Sequence, residues 1–304
     1  VLAGELRPSP LRRVVDVPVP CLPLGRTGTV LETWLAALDA VENVCSIRVV
    51  LNTEDDVYSV LKVVGDRRPT GAAELSLIAE PAAWRGAAGI VHDVTGDLLS
   101  DDLIMVVECA SVAPASLQPL LAAMGDDAGG AVGVQAHAAP SGVCLFERRQ
   151  IERIPEVGYH DLKEQFLPTL AEAGVRVVPV EFEGRAQRIR DRASYLGAVA
   201  TSLQCDDGES LCVAAPGASV SGSAVIDGFA VVGDGAVVED GAVVHDSVVL
   251  AGATIGGGAV VSQSIIGPLA TVPAREHVIR ALRGGAAGDL RSASQSPTSE
   301  EPTA

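Results

Sequence analysis

Arginine side chains that could bind a phosphate group are concentrated in three short stretches of the sequence. Arg7, Arg12 and Arg13 lie in a proline-containing loop near the start, and Arg148–Arg149 form a second basic stretch. Four more arginines fall within residues 185–192. In a chain with a formal net charge of −17, such stretches either bind an anion such as a nucleotide or sugar phosphate without a metal, or pair with neighbouring carboxylates. Both interpretations stay open on this pattern.

Histidines, cysteines and the remaining acids form no constellation typical of metal binding or nucleophilic catalysis. The six cysteines include no CxxC pair and no Cys/His cluster with zinc spacing, so we expect free thiols in a reducing cytosol. His137 and His160 are isolated, and no Ser/His/Asp grouping can be placed. The carboxylates among Asp97–Asp102 are typical of a solvated turn.

Composition limits the class of protein. The chain of 304 residues is long enough for two domains, and its 48% hydrophobic residues can form a sizeable core. The negative charge argues against non-specific binding to nucleic acid or an anionic membrane. No apolar run is long enough to span a bilayer and no signal peptide is visible, so we expect a cytoplasmic protein. Lysine is almost absent, with only Lys62 and Lys163.

A repeat near the C-terminus is the clearest pattern in the chain. Between Ala214 and Val272 an aliphatic residue returns every six residues, shortened to five at Val244→Val249 and Val261→Ile266. A short fixed period is the signature of a solenoid of parallel β-strands, here a left-handed β-helix of about three turns of 17 or 18 residues. His245 lies next to an inward valine, which predicts a solvated surface histidine rather than a catalytic one.

The residues before the repeat alternate between apolar runs and helical periodicity, which predicts an α/β domain with a mostly parallel sheet. Strands are predicted at Val1–Gly4, Ile47–Leu51, Leu75–Ala79, Leu103–Val107, Ala131–Gln135, Val143–Phe146 and Arg176–Phe182. Helices are predicted at Thr29–Val41, Asp55–Val64, Ala87–Val94, Ser116–Met124, Leu162–Ala173 and Arg192–Leu203. The predicted organisation is an α/β domain at 1–205, the β-helix at 212–273 and a disordered tail at 284–304.

Several segments of the α/β region match, in order, the motifs of one family. They are Leu2-Ala3-Gly4, Leu6-Arg7-Pro8, Pro18–Leu24, Glu80-Pro81, Arg85–Gly89, Gly142–Phe146 and Asp161–Leu170. With the β-helix behind them, they resemble the sugar-phosphate nucleotidyltransferases, and the mannose-1-phosphate guanylyltransferase and glucose-1-phosphate branches look nearest. These enzymes make an NDP-sugar from an NTP and a sugar 1-phosphate, with Mg²⁺ held by carboxylates. The resemblance implies a Rossmann-like α/β domain that binds nucleotide through Leu2, Ala3, Gly4, Arg7, Glu80 and Gly86.

The family's phosphate-binding elements are altered in this sequence. After Gly4 the chain runs through Glu5 directly to Leu6-Arg7-Pro8, so about four residues of the glycine-rich loop are missing. Val19 stands where the family has a lysine. A further lysine loop of the family has no counterpart, because residues 134–141 are too few and contain no lysine. The sequence therefore predicts a site that no longer cradles a triphosphate.

The two metal-binding carboxylates of the family are also replaced. Ala110 stands at the first position and Arg188 at the second. Glu108 lies two residues before Ala110, so alternation along an extended chain leaves it on the same side, and Asp191 lies three residues after Arg188. Glu108 and Asp191 are thus the candidate substitutes for a metal site that the sequence otherwise lacks.

Two hypotheses follow from these differences. The first is a non-catalytic homologue that senses a nucleotide or NDP-sugar, or acts as a regulatory or assembly subunit, as a homo-oligomer or with an active paralogue. It needs no cofactor. The second is an active nucleotidyltransferase with a rebuilt site, using Arg7, Arg12 or Arg13 for phosphates and Glu108 or Asp191 for Mg²⁺. The chain opens directly on Val1, so we expect either a start farther upstream or a non-AUG codon.

Overall fold

The computed structural model describes residues 1–4, 9–65, 73–80, 84–125, 127–135, 140–182, 188–204 and 211–285. They divide into two compact units. The first comprises Val1–Ser9 and Val17–Arg190, and the second comprises Pro10–Asp16 and Asp191–Ala304. The second unit therefore contains the repeat together with two helices from outside it. The tail from residue 286 onward, predicted to be disordered, lies outside the described residues.

The helices follow the apolar periodicity of the sequence, and several begin at a side-chain cap. They are α1 (Pro10–Val15), α2 (Val30–Asp39), α3 (Glu54–Val64), α4 (Gly86–Val94), α5 (Gln118–Ala122), α6 (Arg148–Ile151), α7 (Leu167–Glu172) and α8 (Arg192–Leu203). Thr29 and Glu32 form a capping box on α2, and Asp191 and Ser194 form one on α8. The predicted helix at Leu162–Ala173 consists of a π-helical turn, Leu162–Phe166, followed by α7. The short helices α1 and α6 were not predicted.

The first unit is built around mixed β-structure. Its strands are β1 (Ser46–Leu51), β2 (Glu74–Ala79), β3 (Leu103–Val107), β4 (Gly130–Val134), β5 (Pro140–Glu147) and β6 (Val177–Glu181). The strands β1 and β2 are parallel, as are β4 and β6, whereas β5 runs antiparallel between β3 and β4. Phe146 on β5 and Phe166 pack edge to face at 5.1 Å between ring centroids, within the apolar core between sheet and helices.

The opening residues join the two groups of strands, as the strand prediction for Val1–Gly4 implies. Leu2 forms parallel bridges to both Val50 and Glu108. The Leu2 N–H donates to the Val107 carbonyl at 2.8 Å, and the Ala3 N–H donates to the Val50 carbonyl at 2.8 Å. The order β2, β1, Val1–Gly4, β3, β5, β4, β6 is therefore continuous, and most neighbours are parallel.

The second unit contains a parallel β-solenoid of about four turns, one more than the repeat predicted, because its strands continue to Arg283. They are β7 (Leu211–Ala214), β8 (Ser219–Val220), β9 (Val225–Val232), β10 (Val237–Val238), β11 (Val243–Val249), β12 (Thr254–Ile255), β13 (Val260–Ser262), β14 (Ile265–Ile266), β15 (Thr271–Val272), β16 (His277–Ile279) and β17 (Leu282–Arg283). The strand register confirms turns of 17 or 18 residues, since Val238 pairs with both Val220 and Ile255. The inward aliphatics thus stack in columns and are buried.

The five-residue steps have a structural cause at one corner of the solenoid. Asp246 and Gln263 occupy the same place in successive turns and both have positive φ. The next residue in each turn is a fully buried serine, Ser247 or Ser264. The Ser264 hydroxyl donates to the Ser262 carbonyl at 2.7 Å and accepts from the Ala281 N–H at 3.0 Å. A left-handed residue and a bonded hydroxyl thus close the corner with one residue fewer.

One face of the solenoid is covered by helices of its own unit, and a second face carries exposed aliphatic side chains in the part of the chain that the structure describes. α8 packs against β11 and α1 packs against β17, and the outward residues Val231, Val248 and Ile265 are buried. On a second face, Val225 is 52% exposed and Ile279 is 58% exposed. Among the described helices, none is both long and apolar enough to cross a membrane.

Candidate functional site

Three polar side chains lie where strands of the first unit end. Asn52 follows β1, Glu80 follows β2 and Glu108 follows β3. Because these strands are parallel to one another through Val1–Gly4, their carboxyl ends share one edge. Ligands of open α/β sheets bind at this edge. The edge is therefore the candidate site, and it has two clusters of contacts.

The first cluster joins Gly4, Asn52 and Glu80. A Cβ on Gly4 would lie 2.8 Å from Asn52 Oδ1, so the glycine allows the amide to approach the backbone. The Glu80 N–H donates to the Leu51 carbonyl at 2.7 Å, which fixes the strand end. Burial raises the pKa of Glu80, and a hydrogen bond with Asn52 opposes that rise. The structure thus brings together Leu2, Ala3, Gly4 and Glu80, four of the residues predicted to bind nucleotide.

The second cluster is an ion triad of Glu108, Lys163 and Arg188. Glu108 Oε1 lies 2.6 Å from Lys163 Nζ. Glu108 Oε2 forms an ion pair with Arg188 Nη2. The three side chains are 30%, 31% and 36% exposed respectively, so the triad lines the surface of the edge rather than the core. One carboxylate therefore bridges two cations.

The backbone that carries Glu108 is held by the core beneath it. The Ser111 hydroxyl donates to the Glu108 carbonyl at 2.9 Å, and the buried Trp34 indole donates to the Ser111 carbonyl at 2.7 Å. The Glu108 N–H donates to the Gly142 carbonyl at 2.8 Å. Gly142 has φ +83°, and a Cβ there would lie 3.2 Å from Glu108 Cβ. These contacts fix the backbone position from which the Glu108 side chain extends.

Lys163 reaches the triad from the π-helical turn. Asp161 caps this turn, because its Oδ1 accepts from the N–H groups of Lys163 at 2.7 Å and Glu164 at 2.9 Å. π-Helical turns are rare and often occur at functional sites. Burial lowers the pKa of the Lys163 ammonium, Cys144 and Asp161 oppose this, and Arg190 adds to the lowering.

Arg188 comes from a segment that pairs with the backbone following Glu108. Arg188 forms an antiparallel bridge with Ser111, and the Ile189 N–H donates to the Ala110 carbonyl at 2.9 Å. The two positions that the resemblance assigns to metal carboxylates, Ala110 and Arg188, are therefore neighbours in space. Burial lowers the pKa of Arg188, with Arg190 acting in the same direction.

These residues do not fit a Mg²⁺ site. Both oxygens of Glu108 are engaged by cations, Ala110 offers no side-chain ligand, and Arg188 would repel a metal. Asp191, the other candidate substitute, caps α8: its Oδ1 accepts from the Ser194 N–H at 2.8 Å, and this hydrogen bonding lowers its pKa. In the part of the chain that the structure describes, no group of three or more His, Cys, Asp or Glu side chains is arranged to hold a metal.

The remaining residues of the predicted phosphate site belong to other elements or fall outside the described residues. Val19 belongs to a buried 3₁₀ turn, Val19–Cys21, and is 1% exposed, so its position serves the core. Arg12 and Arg13 are on α1, which belongs to the second unit. Arg7 lies outside the described residues, as do most of the residues between Val134 and Ser141.

Gly86 has a packing reason for being glycine. It opens α4 with φ +71°, and a Cβ there would lie 2.5 Å from the His160 carbonyl oxygen. Beside it, Arg85 is buried and forms a two-point ion pair with Asp93 at 2.8 and 2.9 Å. The Arg85 guanidinium also donates to the Gly158 carbonyl at 2.6 Å. Gly86 and Arg85 thus anchor α4 to the segment that leads into the π-helical turn.

Other residues singled out in the sequence have local partners. Arg149 pairs with Glu147 at 2.6 Å, so this basic stretch follows the interpretation of pairing with neighbouring acids. Asp97 pairs with Arg48 at 2.6 Å, a contact that lowers the Asp97 pKa to about 2. His245 lies 3.1 Å from Asp227 Oδ2 and is one-third exposed. Among the described cysteines, those at 21, 45, 109, 144 and 212 are free thiols.

Sequence reasoning missed Lys163 and Asn52. Both contact partners far away along the chain, and no residue pattern marks either of them as a site residue. The signal for Lys163 was its rarity, because it is one of only two lysines in 304 residues and it falls in a segment matched to the family. The signal for Asn52 was its place directly after an apolar strand, where side chains point to the ligand edge.

Comparison with known proteins agrees with this architecture. Residues 209–281 match the family described as "GMPPB C-terminal domain". The matched residues coincide with most of the solenoid, whose strands run from Leu211 to Arg283. No curated protein sequence matches the chain.

The α/β part resembles a solved structure. The crystal structure of HddC from Yersinia pseudotuberculosis has a TM-score of 0.51 and 15% sequence identity, over 66% of this chain and 96% of HddC. That share is far larger than residues 209–281, so most of the match lies outside them. At this identity the likeness concerns the fold. The prediction of an α/β region followed by a β-solenoid is confirmed.

Proposed function

We propose that this protein is a non-catalytic relative of the sugar-phosphate nucleotidyltransferases, acting as a regulatory or assembly subunit that responds to a nucleotide or NDP-sugar. The observation that carries the proposal is the ion triad. Catalysis of nucleotidyl transfer depends on neutralising two reacting anions, which the family does with metal, lysine and a glycine-rich loop. Here Glu108, the candidate substitute for a metal ligand, is paired with Lys163 and Arg188, and Val19, at the expected lysine position, is buried.

The first experiment measures pyrophosphorolysis of several NDP-sugars with Mg²⁺ or Mn²⁺. We expect no turnover above the rate without protein. Turnover within the usual enzymatic range, of the order of 1–10³ s⁻¹, would contradict the proposal. In that case Glu108→Ala distinguishes the alternative enzyme: if Glu108 held the metal in an active site, this variant would lose activity.

We further propose that the solenoid is the assembly module. Its support is a column of outward valines on paired strands, in which Val225 is exposed and Val243 and Val260 are partly exposed. An aliphatic column at a surface is better suited to a protein contact than to water. By contrast, another face of the solenoid is covered by α8 and α1.

Point variants test this role without removing the domain. Val225→Glu places a charge in the exposed column and should reduce the assembly to a smaller species in sedimentation velocity, with an unchanged circular dichroism spectrum. Ser219→Glu is the matched control, because Ser219 is also exposed on a solenoid strand but belongs to a different face. Truncation at Leu211 should abolish assembly altogether. If the size of the assembly stays the same after both changes, the proposal that the solenoid mediates assembly is wrong.

A further inference from the structure

We infer that Lys163 and Arg188 form a metal-independent binding site for a phosphoryl group, and that the Glu108 carboxylate is the internal anion that this ligand displaces. The inference deepens the proposed function, on which it rests, by naming the ligand chemistry of the regulatory site. It also explains why a chain so poor in lysine places one of its two lysines at this edge.

The geometry of the triad is that of an occupied anion site. Each carboxylate oxygen of Glu108 meets a different cation, Lys163 Nζ at 2.6 Å on one side and the Arg188 guanidinium on the other. A phosphoryl group presents the same pair of oxygens and carries more negative charge. Arginine forks and lysine point charges are the usual phosphate ligands of proteins. The carboxylate therefore marks where two phosphate oxygens would bind.

Arg190 adds positive charge near the two cations that Glu108 bridges. It is close enough to lower the pKa of both Lys163 and Arg188, so a third cation contributes to the same field. Among the described residues, Asp161 also acts on Lys163, and its Oδ1 is engaged in capping the π-helical turn. A cluster of cations of this kind attracts an anion.

The site is also reachable. All three triad side chains are about one-third exposed, and they lie at the carboxyl edge of the strands, where a ligand has access. An ion pair that is partly exposed to solvent stabilises a protein only weakly, so exchanging Glu108 for a dianion costs little. The arrangement can therefore respond to ligand by releasing Glu108.

The test is calorimetric titration of the full chain with inorganic pyrophosphate in the presence of EDTA. We expect binding without metal, and at least tenfold tighter binding to Glu108→Gln, because the internal competitor has lost its charge. Lys163→Met should weaken binding at least tenfold, and Lys163→Arg should restore most of it. Lys62→Met is the control, since Lys62 lies over the Tyr58 ring away from the triad, and its affinity should equal that of the wild type.

A second titration series with a nucleoside diphosphate sugar separates two sources of the same chemistry. Tighter binding than pyrophosphate identifies a sugar nucleotide as the ligand, and equal binding identifies the free anion. Binding that requires Mg²⁺ and disappears in Glu108→Gln would overturn the inference, because Glu108 would then be a metal ligand. So would an absence of metal-free binding to wild type and Glu108→Gln at millimolar pyrophosphate.

The pyrophosphorolysis assay on the same samples keeps the two proposals apart. Turnover contradicts the non-catalytic role whatever the titrations give. Absent turnover together with absent metal-free binding contradicts only the anion site. Circular dichroism establishes that Glu108→Gln is folded, and the Lys163→Met and Lys163→Arg pair tests the same site with the carboxylate intact.

Discussion

The solenoid and the ligand edge of the α/β unit satisfy their polar groups in opposite ways. In the solenoid, polar groups form hydrogen bonds with the equivalent residue one turn away. The Ser264 N–H, for example, donates to the Ser247 hydroxyl at 3.0 Å. At the edge, Glu108 is met by Lys163 and Arg188, which come from unrelated segments far along the chain. In a periodic arrangement, a substitution is tolerated only if the equivalent residues of the other turns change with it. An arrangement that occurs once, such as the ion triad, can be replaced one residue at a time.

The largest expected effect tests the periodic side of this comparison. Ile255 is fully buried and stacks between Val238 and Val272. Ile255→Ala should lower the free energy of unfolding by about 2–5 kcal/mol, because the cavity cannot collapse between fixed turns. Ile255→Val should cost about 0.5–1.5 kcal/mol. Urea denaturation followed by circular dichroism measures both free energies. If the two variants unfolded at the same urea midpoint as the wild type, the stack would be loosely packed.

The next effect concerns the α/β unit and uses two glycines with the same φ of +71°. Gly86→Ala should cost about 2–4 kcal/mol, from left-handed strain plus a clash with the His160 carbonyl. Gly174→Ala meets nothing within 4 Å, so only the backbone strain of about 1–2 kcal/mol remains. Thermal unfolding of the two variants measures the difference. Equal melting temperatures would mean that α4 moves away from His160 at no cost.

A smaller effect probes the corner of the solenoid. Ser264→Ala removes the hydroxyl that accepts from the Ala281 N–H, leaving a buried donor unpaired, and should cost about 1–3 kcal/mol. Ser219→Ala, on an exposed strand position, should change stability by less than about 0.5 kcal/mol. Hydrogen exchange at the Ala281 amide gives the local readout. Unchanged protection there would indicate that the corner does not depend on the hydroxyl.

The smallest effect is a pH dependence at the anchor of α4. The hydrogen bond from Arg85 lowers the folded-state pKa of Asp93 below its ordinary value of 3.8. The pair therefore stabilises the fold fully above that value, and its contribution is lost as the pH falls through the lowered folded-state pKa. Asp93→Asn should be less stable than wild type at pH 7, and the gap should narrow below pH 4. A constant gap from pH 7 to pH 2 would assign the effect to packing.

The sequence predicted those parts that local chemistry determines. The bounds of β3 at Leu103–Val107 and α8 at Arg192–Leu203 agree with prediction, because an unbroken apolar run and the Asp191 cap are local signals. The helices α1 and α6 were missed because four to six residues carry too little periodicity. The π-helical turn was not foreseen, since helical periodicity does not distinguish it from an α-helix.

The candidate site was only partly predictable for the same reason. Glu108, Ala110 and Arg188 were found through their positions in family motifs, and the structure places them together. Their chemistry was not found, because the ion pairs depend on Lys163 and on a backbone pairing between Ser111 and Arg188 that no local pattern encodes. Glu108 was considered as a lone metal ligand, whereas it is the shared partner of two cations.

The recurring corner at Asp246, Gln263 and Arg280 has a consequence for how this chain can lengthen. Each of these residues has positive φ and begins the same short step, so successive turns between Val244, Val261 and Val278 are interchangeable blocks of 17 residues. A duplication of one block would extend the stack while leaving every inward side chain in line. Duplication of a 17-residue block can therefore lengthen the solenoid and enlarge its surface without requiring a new core arrangement.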